Sequence, residues 1–247
     1  MRTKFFTVAA VLAGSALMSA YGASASVITA GACVPGTLAT PCPGVQIGAA
    51  GAPPSFTLNS TPVGNFTISG GAIAGVTATG ATFNTQTIAV STTVGGLIDV
   101  YFTISDVPTQ QLPLQFTSTF TSNQQNATTH EVIESTYLDN ANGIFTTPAG
   151  GLLASADLTS AVLETAGPTF TTKTPGANVS FTELYQIQLQ SPGGCGAQPG
   201  GICTANLTID LSAAEVPEPA SLAIFGTALL GLGGLGVIRR RRRGNQS

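Results

Sequence analysis

Residues 178–190 read NVSFTELYQIQLQ, and apolar side chains recur at alternate positions along this stretch. Successive side chains of a strand point to opposite faces, so one face collects most of the apolar residues. These residues are Val179, Phe181, Tyr185, Ile187 and Leu189. The alternation predicts a strand with one face in a core and the Thr, Gln and Ser side chains of the other face in water.

The same period recurs in LIDVYFTIS at 97–105, and again in LPLQFTSTF and ANLTIDL. In the first of these stretches one face carries Ile98, Val100, Phe102 and Ile104. Breakers separate the runs, namely GG at 70–71 and 95–96, DNANG at 139–143 and PAGG at 148–151. Short alternating runs between turn signals predict an all-β domain over residues 55–213, an antiparallel β-sandwich or jelly roll.

The N-terminus has the order of a secretory signal peptide. MRTKFF is positively charged, TVAAVLAGSALM is apolar, and small residues follow at Ala23 and Ala25. This order predicts a signal peptide over residues 1–25 with cleavage after Ala25. A retained membrane helix is the alternative, but the apolar stretch is shorter than the ~20 residues that a span needs.

Export places the four cysteines in an oxidising compartment, where they form disulfides. Four cysteines allow three pairings. We expect Cys33 to pair with Cys42 and Cys195 with Cys203, because each pair is close in sequence and encloses Pro and Gly turn formers. Residues 26–54 are rich in Gly, Pro and Ala with little alternation, and we predict that they form a disulfide-stapled loop.

The charge of the chain is unevenly distributed. Seven of the eight Lys and Arg residues lie at its two ends, so Lys173 is the only base between residues 26 and 215. Ten Asp and Glu residues in that range give a net charge of 1 − 10 = −9. This sign repels phosphate backbones and excludes nucleic acid as a partner of the middle region.

The C-terminus reads VPEPASLAIFGTALLGLGGLGVIRRRRR from residue 216. Residues 220–238 carry no charge and are long enough to cross a bilayer as a helix. The basic cluster that follows predicts a cytoplasmic C-terminus and an outside β-domain. This cluster consists of Arg239, Arg240, Arg241, Arg242 and Arg243.

These residues resemble the PEP-CTERM sorting signal, in which Pro-Glu-Pro, a membrane helix and a basic cluster end otherwise unrelated exported bacterial proteins. Residues 214–247 would then be a sorting tail whose motif is Val216, Pro217, Glu218 and Pro219. The resemblance implies recognition by an exosortase, a membrane enzyme expected to cleave near this motif. The usual hosts are Gram-negative bacteria that make exopolysaccharide. Tails of this kind are sometimes described as the C-terminal domain of ice-binding proteins.

The resemblance also implies a route. The chain would pass through an inner-membrane intermediate to the cell surface or extracellular matrix. A permanent single-span anchor without processing is the alternative, since length and charge alone would produce it.

Residues that could support catalysis or metal binding are scarce in the middle region. His130 is the only histidine, and HEVIE at 130–134 lacks the second histidine of a zinc HExxH motif. In a strand His130 would share a face with Glu134, which leaves a His–carboxylate pair open, although an exposed strand histidine is the favoured interpretation. The sequence predicts no catalytic residue and no cofactor.

A metal site is not predicted either, and calcium at Asp139, Asn140 and Asn142 is the one weak candidate. Their oxygens suit calcium, but an EF-hand loop needs a longer spacing and a closing acid. A plain turn is the favoured alternative, because Asn and Gly tolerate positive φ.

We therefore expect an exported non-catalytic surface or matrix protein with a structural, adhesive or polysaccharide-contacting β-domain. Its expected partners are the membrane before processing, an exosortase and an exopolysaccharide. The alternatives are an exported hydrolase of matrix polymer, which would need a concave carboxylate cluster, and an ice- or surface-binding module, which would need a flat threonine array.

Overall fold

A computed structural model of the protein describes residues 26–38, 41–50, 55–77, 80–109, 112–125, 129–159, 163–190, 195 and 201–216. These residues form strands almost throughout, and the strands build two antiparallel six-stranded sheets. In spatial order, sheet A contains β2 (Val45–Ala50), β1 (Val27–Cys33), β6 (Gly96–Pro108), β11 (Asn178–Gln190), β8 (Thr129–Asp139) and β9 (Leu152–Leu158). Sheet B contains β10 (Glu164–Lys173), β7 (Leu114–Gln125), β12 (Cys203–Glu215), β5 (Gly80–Thr92), β4 (Phe66–Thr77) and β3 (Ser55–Val63).

The core lies between the two sheets and contains the alternating residues of the central strands. All four predicted core residues of β6 are buried, as are the five predicted core residues of β11. The two strands pair in antiparallel register with Tyr185 opposite Val100. The prediction of an antiparallel β-sandwich with this core face is confirmed.

The prediction that the opposite face meets water is right for sheet B and wrong for the middle of sheet A. Asp99, Thr103, Thr182 and Gln186 lie on the outer face of sheet A, and each is at most 4% exposed. The connection between β8 and β9 covers this face, where the Phe145 ring packs on the Tyr101 ring at 5.8 Å between centroids. Local alternation cannot report a cover that comes from a distant loop.

The predicted loop over residues 26–54 is wrong at residues 27–33 and 45–50, which form β1 and β2. β1 pairs with both β2 and β6, so the β-domain begins at Val27, and β12 extends it to Glu215. The core side chains of β1 include only Ala30 and Ala32 beside Ile28, which is why the segment lacks large alternating residues. The Phe145 ring lies over Gly31, where a Cβ would come within 2.7 Å of it.

The strands give the sandwich two distinct ends. At the tail end, Ser26 donates to the Asp106 carbonyl and the Val216 amide donates to the Pro113 carbonyl. At the opposite end, which we call the disulfide end, Cys33 bonds to Cys42 and Cys195 to Cys203. The 13 residues of β6 run from one end to the other, a distance of about 40 Å.

Both predicted disulfide pairings are therefore confirmed. Two predicted segments lie outside the described residues. They are the signal peptide, with Ala23 and Ala25, and the tail from Pro217 onward, with its arginines. Within the part of the chain that is described, no helix is long and apolar enough to cross a membrane.

Candidate functional site

The outer face of sheet B is an open surface of hydroxyl and amide side chains, which we call the hydroxyl face. It consists of the outward side chains of β10, β7, β12, β5 and β4. Inward and outward residues alternate cleanly along β12, where the side chains from Ala205 to Ala213 that point inward are buried and those between them are not. The outward residues of the central strands β7, β12 and β5 include Gln115, Thr117, Thr119, Thr121, Asn123, Thr204, Asn206, Thr208, Ser212, Thr82, Asn84 and Ser91.

Strand register aligns these groups in rows across the sheet. One row joins Thr165, Thr121 and Thr208, and another joins Thr117, Ser212 and Thr82. Neighbouring strands lie about 4.8 Å apart and alternate residues of one strand about 6.7 Å apart, so the rows form a two-dimensional array. Register shifts interrupt it between β10 and β7 and between β12 and β5. This part of the structure has the threonine content that a surface-contacting module would need.

The hydroxyl face is almost without charge. Among the outward residues described on sheet B, Asp210 is the single ionisable one, and partial desolvation raises its pKa above the ordinary 3.8. Two apolar side chains interrupt the polar array, Phe170 at 60% exposure on β10 and Ile73 at 41% on β4. A sheet face exposed to water usually carries mixed charges that maintain solubility, so this composition is unusual.

The outer face of sheet A differs because two segments cover it. The Phe145 amide donates to the Thr103 hydroxyl at 3.2 Å, and the Ser180 hydroxyl donates to the Gly143 carbonyl at 2.6 Å. On the other side of the face, the Tyr101 hydroxyl donates to the Cys42 carbonyl at 2.6 Å. Sheet A therefore offers no open face comparable to that of sheet B in these central strands.

Asp99 is buried beneath the Cys33–Cys42 loop. Its Oδ2 accepts the Cys42 amide at 3.0 Å, while Oδ1 has no hydrogen-bond partner among the described residues. Burial raises the pKa of Asp99 from 3.8 to about 6, although the Cys42 amide and the Gln186 side chain oppose the rise. The two cysteine sulfurs lie close to this carboxyl, but they are bonded to each other and are not available as metal ligands.

The weak calcium candidate lies in a turn whose oxygens already have partners. Asp139 accepts the amides of Ala141 and Gly143 and the Thr146 hydroxyl, and these bonds lower its pKa although burial opposes them. Asn140 accepts the Gly176 amide. The third candidate, Asn142, accepts the Asp106 amide and adopts a φ of 58°.

These hydrogen bonds give the segment the arrangement of a structural turn. An open cavity of about 400 Å³ lies beside it and includes Lys173, whose Nζ donates to the Gly150 carbonyl.

A pair of buried glutamates lies between the sheets. Glu134 on β8 and Glu183 on β11 are both fully buried and point into the core. Glu134 Oε2 accepts the Thr121 amide at 3.1 Å, but its other oxygen and both oxygens of Glu183 have no hydrogen bond of normal geometry within the described part of the chain. Burial raises the pKa of both carboxyls well above 4.5.

Hydroxyl groups next to this pair are already engaged. The Tyr185 hydroxyl contacts the Thr85 hydroxyl, and both accept the Ile209 amide at 3.0 Å. This cluster lies where the register between β5 and β12 shifts, so it satisfies a backbone group that the ladder leaves unpaired. A polymer substrate cannot reach the Glu134 and Glu183 carboxyls, because both are buried between the sheets.

The structure places the His130 backbone opposite Leu189 at the start of β8. Val132 and Glu134 share the core face of that strand, as the predicted alternation requires. Sequence reasoning missed the burial of Asp99 and Glu183. For Glu183 the signal was present, since it falls between Phe181 and Tyr185 on the apolar face of NVSFTELYQIQLQ.

Comparison with known proteins adds no assignment. No family model matches the chain, and no curated protein matches it in sequence.

Proposed function

We propose that this chain is an exported, non-catalytic surface or extracellular-matrix protein, delivered by exosortase-type recognition of its C-terminal tail. The observation that carries the proposal is the shared position of the two ends of the β-domain. Ser26 and Val216 both leave the sandwich beside the connection from β6 to β7. A body attached through that end presents its disulfide end about 40 Å away from the attachment point.

The composition of the body supports a structural role. Two disulfides brace the exposed end, and short loops of this kind add about 2 kcal/mol each to stability. They also support export, because disulfides persist in oxidising compartments. Among the described residues, nearly continuous strand pairing leaves few long segments open to extracellular proteases.

The hydrolase alternative has less support. It requires accessible carboxyls in a concave site, whereas Glu134 and Glu183 are fully buried and the Asp139 oxygens are held by turn donors. A general acid must come within hydrogen-bond reach of its substrate, and neither pair of groups offers that.

The test is the intact mass and location of the protein in its native host. The test variant changes Pro217, Glu218 and Pro219 to alanine, and Glu215→Ala is the matched control because it removes a neighbouring acid outside the motif. We expect wild type and the control to be released with a mass that begins near Ser26 and ends near Glu218. The triple variant should keep its arginines and remain in the inner membrane. Wild-type protein that retains Arg239 in the inner membrane would instead establish a permanent anchor and refute the sorting proposal.

A further inference from the structure

We propose that the hydroxyl face of sheet B is a binding surface for a neutral, hydroxyl-rich polysaccharide. This inference rests on the proposed function in one respect, since it requires a domain that meets polymer outside the cell. It adds the location of the contact and the chemical class of the partner.

The first argument is the asymmetry between the two sheets. The outer face of sheet A is covered in its middle by the Phe145 segment and the Cys33–Cys42 loop. No such contact is formed by the outward side chains of the described strands β5, β7 and β12, which remain partly or fully exposed. Among the described residues, sheet B therefore keeps one broad face available.

The second argument is charge. The domain carries −9 between residues 26 and 215, so a polyanion would be repelled. A cationic partner would find a single carboxyl among the described outward residues of this face, that of Asp210. A neutral partner brings no charge of its own to a face that carries only this one carboxyl.

The third argument is hydrogen-bonding chemistry. A hydroxyl side chain donates one proton and accepts at two lone pairs, and an amide side chain does both as well. Rows such as Thr165, Thr121 and Thr208 therefore match the sugar hydroxyls of a polymer in either orientation. Phe170 and Ile73 lie on the two sides of the array and can contact the apolar C–H faces of sugar rings.

The experiment measures co-sedimentation of the full chain, in mild detergent, with microcrystalline cellulose as the neutral probe and alginate gel as the anionic probe. Thr117→Glu and Thr208→Glu place a carboxylate in the middle of the hydroxyl face. Thr93→Glu is the matched control, because Thr93 is an exposed threonine in the turn from β5 to β6. Thermal melting of each variant confirms that the fold is intact.

We expect wild type and Thr93→Glu to bind cellulose and not alginate. Each face variant should bind at least about tenfold more weakly at an unchanged melting temperature, because the contact would desolvate a charge. A tenfold loss in all three variants, or no loss in any, overturns the proposal.

Three other results also overturn it. They are binding to alginate, a wild-type dimer that the face variants dissociate, and inhibition of ice recrystallisation without cellulose binding. If the protein is released normally in the native host and one of these results is also obtained, the hydroxyl face is not the binding surface. The proposed function is then unaffected.

Discussion

Replacing Glu183 by glutamine should remove a large part of the pH dependence of folding stability. The folded protein buries this carboxyl completely, and its oxygens have no hydrogen bond of normal geometry among the described residues. Desolvation raises the pKa well above 4.5, and the nearby Asp210 and Glu134 raise it further. The Thr85 hydroxyl opposes the rise, but it is already engaged with Tyr185 and Ile209.

The sign follows from proton binding. In the unfolded chain Glu183 ionises near its ordinary pKa of about 4.3, while the folded protein still holds the proton at higher pH. Its stabilising contribution is therefore fully present below that pKa and is lost as pH rises toward the folded value. Within this window the free energy of unfolding falls by about 1.4 kcal/mol per pH unit for each such carboxyl. Glu134 behaves in the same way, so wild type can lose about twice that amount per unit.

The assay is urea denaturation between pH 4.5 and 8, followed by circular dichroism, with the free energy of unfolding plotted against pH. Glu183→Gln should reduce the slope by about 1.4 kcal/mol per pH unit. Its absolute stability at acidic pH should drop by about 1–3 kcal/mol, because the buried amide also lacks partners. Glu131→Gln on the neighbouring strand β8 is the control, since it makes the same change at a partly exposed carboxyl. A wild-type stability that rises with pH across this window, or a Glu183→Gln slope equal to that of wild type, would refute the reasoning.

Three further predictions concern the cover of sheet A. The stability of wild type should fall between pH 3.8 and about 6, because the Asp99 carboxyl holds its proton more tightly when the protein is folded. Asp99→Asn should make this fall shallower. A plot of stability against pH that is unchanged in that window contradicts the prediction. Tyr101→Phe removes the hydrogen bond to the Cys42 carbonyl and should lower the free energy of unfolding, measured by urea denaturation, by about 1 kcal/mol. The loop before Cys42 should also be cleaved faster by proteases. An unchanged cleavage rate would argue against this prediction. Gly31→Ala places a Cβ 2.7 Å from the Phe145 ring and should lower stability by about 1–3 kcal/mol, whereas a neutral result would mean that the ring moves freely.

The sequence by itself determined four strands (β6, β7, β11 and β12), the core face of β6 and β11 and both disulfide pairings. Period-two alternation reports which side chains share a face, and it is a local property of the chain. Short cysteine spacing around Pro and Gly is also local, which is why Cys33–Cys42 and Cys195–Cys203 could be predicted without a fold. β1 escaped prediction because its core residues are small, and a run of Ala and Gly carries little hydrophobic contrast.

Only the tertiary structure decided which sheet face is covered and which is open. Polar residues alternate on the outer faces of both sheets, so Asp99 under its loop and Asp210 on the hydroxyl face look alike in sequence. Glu183 differs, because its position between Phe181 and Tyr185 on the apolar face already indicated burial. Solvent exposure is set by contacts between distant segments, and no local pattern records those contacts.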